Sequence, residues 1–338
     1  AAPWPATAAS APAASGFGPA TRTHGMDHPH YRWSPLPSRP ALRWPGDAAL
    51  AVGAVVLLEH FEWSPPPDAF SLRRRSGGLG RLPAPDYAQL THREYGHRVG
   101  VFRLLDILER HGITPTVAVD ALTARHYPWL VDHCVGRGCE IVAHGVSATR
   151  LATSNLTVDA ERDLIAESLA AVEAATGAGA RGWYSAEGVE SHRTPQLLAA
   201  AGVDYLLDWP NDEQPYPITT PAGEMVSLPM FLEADDEFAL WHRRATLAGW
   251  ADTVTAAAAR MCHDGAHHRA GGRLLLLCLR PWLTGQPFRA PTLDRALATG
   301  IAPLLESGRA FAATTSEIAD AYALSVGTVD VGADGQQE

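Results

Sequence analysis

Nine residues without a single polar side chain, Leu50 to Leu58 (LAVGAVVLL), are followed at once by Glu59 and His60. A run of this length and composition suits a strand covered on both faces, as in a parallel sheet layered with helices. The pattern recurs along the chain. Strands are expected at 114–119, 139–143, 181–185, 205–208, 224–228, 273–279 and 310–313, separated by amphipathic helices at 95–110, 128–137, 157–176, 194–201, 253–267, 293–304 and 316–323. The helix at 95–110 carries Val101, Leu104, Leu105 and Leu108 on one stripe, and Thr157 stands as an N-cap ahead of Asp159 and Glu161. Strand and helix thus alternate about seven times, which argues for a parallel α/β barrel over a sandwich or a bundle.

In such a barrel the carboxyl ends of the strands share one mouth, where chemistry is placed. Those ends carry Glu59, His60 and Trp63; Asp120; His144; Trp183, Tyr184, Ser185 and Glu187; Trp209, Asn211 and Asp212; and Arg280 with Trp282. Burying ionisable groups costs several kcal/mol unless they pair or face a cavity, so their repetition at strand ends predicts a functional pocket. His144 stands out, because the short apolar run 139–143 delivers it to a turn opened by Gly145. Its ordinary pKa near 6.5 suits proton transfer at neutral pH.

The net charge of −10 argues against nucleic acid or an anionic membrane surface as partner, and no run of 18 apolar residues exists to span a bilayer. All 27 cationic residues are Arg, so a lysine Schiff base is excluded. Cys134, Cys139, Cys262 and Cys278 lack C-x-x-C spacing and read as reduced core residues, which points to the cytoplasm. One domain is expected over 24–324, with an N-terminal arm at 24–48 and disordered tails at 1–23 and 325–338. Residues 64–94, with Pro65–Pro67, Arg73–Arg75 and Gly77-Gly78, read as a long lid or binding loop. His24, His28 and His30 on the arm are too irregularly placed to predict a metal site.

The segments EYGHRVGVFRLLDILERHGITPTVAVD (94–120), EIVAHGVSATRL (140–151), GWYSAEGVESHRTPQLLAAAGV (182–203), DWPNDEQPYP (208–217), MVSLPM (225–230) and LCLRPWLTGQPFRAPTLDRAL (277–297) resemble the polysaccharide deacetylase superfamily, and within it the branch of metal-independent allantoinases and related cyclic-amide hydrolases. The likeness spans roughly 24–324 and implies a distorted (β/α)7 barrel of the NodB type. The metal-dependent members place two aspartates where this chain has Glu59 and His60, a second histidine where it has Ala148, and a histidine where it has Arg280. The resemblance therefore implies a metal-free, cofactor-free site.

On this reading the chain is a hydrolase of a C–N bond in a small amide, cyclic imide or ureide. Glu59 and His144 share acid–base work on a water, and Arg280 polarises or anchors an anionic or aromatic substrate. Asn211 and Asp212 bind its polar edge, with His60, Asp120, Tyr184 and Glu187 also lining the site. Trp63, Trp183, Trp209 and Trp282 wall the pocket. A non-hydrolytic tailoring enzyme and a non-catalytic ligand-binding relative are the alternatives on the same barrel, and a homo-oligomer is compatible with the sequence.

Overall fold

The computed structural model describes residues 26–67, 69–70 and 86–333. Its centre is one sheet of nine strands: β1 (Leu50–Leu58), β2 (Thr116–Val119), β3 (Glu140–Ala143), β4 (Gly182–Trp183), β5 (Tyr205–Leu206), β6 (Tyr216–Thr220), β7 (Gly223–Ser227), β8 (Arg273–Leu279) and β9 (Ala310–Ala312). The order is β6-β7-β5-β4-β3-β2-β1-β8, and every pairing is parallel except the β6–β7 hairpin. β8 runs along Leu50–Val56, whereas the opposite edge of β1 is shared. β9 takes its first half (Leu50 opposite Ala310) and β2 its second (Leu58 opposite Val119). Among the described residues no strand ladder joins the two ends of the sheet. Irregular chain spans the gap instead, with Leu274 N–H donating to Glu213 O (2.9 Å) and Asp235 bridging to Cys278. This is the distorted barrel that the sequence predicts.

The strand period of two divides the core. Leu50, Val52, Ala54, Val56 and Leu58 of β1, with Leu275, Leu277 and Leu279 of β8, pack against the surrounding helices. Ala51, Val55, Leu57, Val142, Tyr184, Leu274, Leu276 and Cys278 fill the barrel instead. Trp44 of the arm and Ile318 of the last helix join this inner cluster, and Trp44 Nε1 donates to Arg273 O at the amino end of β8. One step past each strand, Glu59, His144 and Arg280 continue the inward-facing series at the opposite end. Alternation alone therefore aims all three at one place.

Three expectations need correction. The stretch 87–94 is no loop: Asp86 accepts a hydrogen bond from Gln89 N–H and starts the helix Tyr87–Tyr95, which runs through a wide turn at Gly96–Gly100 into Val101–Arg110. Gly96 and Gly100 look like helix breakers, but they are there for close approach. A Cβ on Gly100 would stand 2.0 Å from Pro281 O, in the turn that carries Arg280. Gly100→Ala is accordingly expected to cost about 1–3 kcal/mol or more, read as a lowered denaturation midpoint, because a backbone carbonyl cannot yield as a side chain can. The second correction concerns the C-terminal tail, since the helix Thr315–Ala333 continues through residues expected to be disordered. Residues 325–333 contain no proline to stop it. Thirdly, Asp120 begins an unforeseen helix, Ala121–His126. The expectations for 1–23, His24, the Arg73–Arg75 run and 334–338 lie outside the described residues. Thr157, by contrast, caps its helix as expected, accepting from Ala160 N–H.

Candidate active site

Glu59 stands between two cations. His144 Nε2 lies 3.5 Å from its Oε1 and Arg280 Nε lies 3.6 Å from its Oε2, so β1, β3 and β8 bring the three predicted catalytic residues together. Glu59 is 5% exposed and His144 fully buried. Neither contact has hydrogen-bond geometry: both Glu59 oxygens and His144 Nε2 lack a hydrogen-bond partner among the described residues. The other imidazole nitrogen is fixed, with Nδ1 2.7 Å from Tyr184 O and the ring stacked on that of Tyr184 at 5.1 Å. Nδ1 thus carries a proton, and Nε2 faces Glu59.

Burial pushes the Glu59 carboxyl up, but the close approach of His144 and the charges of Arg280 and Arg93 outweigh it and hold it at about 2. Burial likewise opposes the charged form of His144, yet Glu59, Asp120 and the Tyr184 carbonyl raise its pKa above the ordinary value. The resting pair is therefore a carboxylate facing an imidazolium.

Arg280 is less available than expected. Its Nη1 reaches Asp235 Oδ1 and Oδ2 at 2.7 and 2.9 Å, and its Nε lies 2.6 Å from Glu237 Oε2. Asp236 accepts from the Arg280 backbone N–H at 2.9 Å and from Thr284 Oγ1. Arg93 binds the far oxygen of Glu237 at 3.0 Å and lies 3.5 Å over the Trp282 ring. The acidic triplet Asp235–Glu237 and Arg93 are the residues that sequence reasoning missed. A short acidic run ordinarily marks a solvated surface, and its only distinguishing signal is the apolar flank Met230-Phe231-Leu232 and Phe238.

In front of this layer opens a cavity of about 360 Å³, lined by Tyr184, Glu187, Asp208, Phe231, Phe238 and Arg280 among others. Tyr184 and Glu187 line it as predicted. Glu59 and His144 are not among its lining residues; they reach it through Arg280, 3.6 Å from Glu59, and through Tyr184, on which the His144 ring stacks. The remaining predicted residues lie elsewhere. Asp120 spends one oxygen on His60 N–H (2.5 Å) and the other on Thr123 N–H (2.6 Å), so it clamps backbone. The His60 ring packs on His126 at 5.1 Å, and Trp63 donates to Glu94 on an exposed flank. Trp183 faces the opposite way from Tyr184, fully buried in the core with Nε1 on Ser185 Oγ. Trp282 is buried under Arg93. Trp209, Asn211 and Asp212 hold the arm: Trp209 meets the rings of His30 and Tyr31, Asn211 accepts and donates between Tyr216 and Tyr31, and Asp212 pairs with Arg39 at 2.5 Å.

Residues 94–206 match the family model for polysaccharide deacetylase. That match covers about a third of the chain. Its fold is similar to a structure titled "probable Polysaccharide deacetylase" from Pseudomonas aeruginosa PAO1, with 22% identity, a TM-score of 0.74, and 84% of this chain and 94% of that chain covered. Puue allantoinase is similar to the same degree, at 22% identity and a TM-score of 0.73, with 84% of this chain and 93% of that one covered. No curated protein matches the sequence at a significant level.

A metal of the deacetylase type does not fit the side chains placed here among the described residues. Such an ion needs three or more donors on one centre. Among the described residues no group of three His, Cys, Asp or Glu side chains is placed to hold one. The Arg280 guanidinium already supplies positive charge 3.6 Å from Glu59, and Ala148 offers no donor. The four cysteines are free and buried, and no helix among the described residues is long and apolar enough to cross a membrane.

The burial of so many carboxyls sets a pH dependence. Burial raises Asp120, Glu187 and Asp236 each to about 7. A carboxyl raised in the folded state contributes stability that is complete below its ordinary value near 4 and is lost as the pH rises towards 7. His144, also raised, acts in the same direction. Glu59 acts oppositely, its contribution being present above about 4.5 and lost as the pH falls towards 2. The melting temperature is thus expected to be higher near pH ~5 than near pH ~8, and to drop steeply below pH ~4, as calorimetry across that range would show.

Proposed function

We propose that this protein is a hydrolase cleaving the C–N bond of a small amide, cyclic imide or ureide, with Glu59 and His144 as its acid–base pair. The observation that carries the reading is the unbonded state of that pair: three buried polar atoms, Glu59 Oε1 and Oε2 and His144 Nε2, face one another beside a cavity with no hydrogen bond among them. Leaving such groups unsatisfied costs on the order of 1–3 kcal/mol each, which is explained where a reacting molecule supplies the missing partners.

Glu59 would take a proton from water as its oxygen bonds to the carbonyl carbon. His144, held by Tyr184 O with its Nε2 proton forward, would give that proton to the nitrogen as the C–N bond breaks. Once His144 is neutral it can take the new proton back from Glu59, whose carboxyl Arg280 and Arg93 still favour in the charged form, and the pair is reset. Arg280 acts here as a positioning residue, keeping Glu59 ionised and in place.

Incubation with ureides, cyclic imides and amides in ¹⁸O-water tests the reaction. One labelled oxygen in the product is the expected result, and an unlabelled product of unchanged mass would replace hydrolysis by rearrangement. Chelator treatment is expected to leave the rate unchanged, with zinc well below one per chain by elemental analysis. Loss of activity with loss of a tightly held ion would overturn the metal-free reading.

A further inference from the structure

The hydrolase reading leaves the substrate's charge open, and the cavity in front of Arg280 bears on it. Its charged lining comprises four carboxylate residues, Glu187, Asp208, Asp235 and Glu237, against a single guanidinium. That guanidinium is already occupied, by Asp235 at Nη1 and by Glu237 at Nε. Glu59 adds no net charge here, since its carboxylate faces His144 at 3.5 Å and Arg280 at 3.6 Å. An anionic substrate would find the lining guanidinium already spent on carboxylates, whereas Glu187 is left without an ion-pair partner among the described residues.

Glu187 is also held in an unusual way. It is one of three non-glycine residues with positive φ among the described residues, at 58°, a conformation that costs on the order of 1 kcal/mol and concentrates at functional sites. The carboxylate that this turn presents to the cavity receives no hydrogen bond from any described residue.

We propose that the cavity recognises a cationic nitrogen, a protonated amine, amidine or guanidinium on the substrate, held by Glu187 with Asp208 and Glu237 nearby and its carbon skeleton against Leu207, Met230, Phe231 and Phe238. This rests on the hydrolase reading only in assigning the bound molecule as substrate. The groups facing Glu187 are the carboxylates of Glu237 and Glu59, the cations Arg280 and Arg93, and, around the cavity, Asp208 and His242. Burial, then Glu237 and Glu59, push the Glu187 carboxyl up to about 7 against the pull of the two arginines. A bound cation supplies the missing counter-charge, so binding releases a proton and tightens as the pH rises through about 7.

Titration calorimetry of the full chain with three probes of one shape, benzamidinium, benzamide and benzoate, tests this. Benzamidinium is expected to bind roughly 10-fold or more tighter than either of the others, the scale of one charge-assisted contact. Its affinity should rise several-fold between pH ~6 and pH ~8, and Glu187→Gln should remove both the preference and the pH dependence. Benzoate binding as tightly as benzamidinium, or benzamidinium binding unaltered by Glu187→Gln, would overturn the proposal. The measurement needs no turnover: benzamidinium binding in a protein that hydrolyses nothing would sink the hydrolase reading and keep cation recognition, whereas hydrolysis of a neutral ureide unaffected by benzamidinium would do the reverse.

Discussion

His144→Ala is expected to lower kcat for C–N bond cleavage by about 10²-fold or more, the usual scale for a positioned acid–base group. The imidazole is fully buried, its Nδ1 is fixed on Tyr184 O, and its Nε2 faces Glu59, so no neighbouring side chain can take over its proton. Glu59→Gln should be of similar severity, because the amide keeps the shape and loses the base. Stability separates this from simple unfolding. In His144→Ala, Glu59 still faces Arg280 at 3.6 Å and is not left as an isolated charge, so the melting temperature should fall only modestly. Turnover near that of the unmodified protein would move the catalytic role to Glu187, the carboxyl that lines the cavity and is poised near neutral pH.

Arg280→Met should show the larger effect on stability. The guanidinium is the shared counter-charge of Glu59, Asp235 and Glu237, all nine-tenths buried or close to it, and Asp236 Oδ1 lies 3.6 Å away. Removing one member of a buried ion pair leaves an uncompensated charge and costs about 3–5 kcal/mol. In a chain of this size that corresponds to a fall in melting temperature on the order of 10 °C. The loss should shrink at acidic pH, where the stranded carboxyls take up protons. A variant within about 1 kcal/mol of the parent would mean that the cluster is balanced by something other than Arg280.

Much of the fold is legible in the sequence because its signals are local. Long apolar runs such as Leu50–Leu58 and Arg273–Leu279 can only be strands of a doubly covered sheet, and both are. Gly96 and Gly100 lie inside the helix expected at 95–110, but their reason, close approach to Trp282 and Pro281, is tertiary and has no local signal. The three central site residues are legible as strand ends, but nearness to a strand end is a loose criterion for the rest. Trp183 and Tyr184 are adjacent, so in extended chain one must face the core while the other faces the barrel, and Trp183 is the one in the core. Asp120 satisfies the strand-end rule equally well and serves as a helix cap. Asn211 and Asp212 look like substrate contacts because nothing local shows that the arm, some 170 residues earlier in the chain, returns Tyr31 and Arg39 to meet them. Arg280 looks like a free anchor for an anion for the same reason: its partners Asp235 and Glu237 are fixed only by the tertiary fold.

The central claim is that Glu59 and His144 work as one unit on the substrate's C–N bond. A double-mutant cycle on kcat, comparing Glu59→Gln, His144→Ala and the two combined with the parent, measures that coupling directly. The double variant is expected to be no more than a few-fold slower than the slower single one, because either change already disables the pair. Losses that multiply, so that two effects of about 10² combine to about 10⁴, would show two residues acting independently and would contradict it.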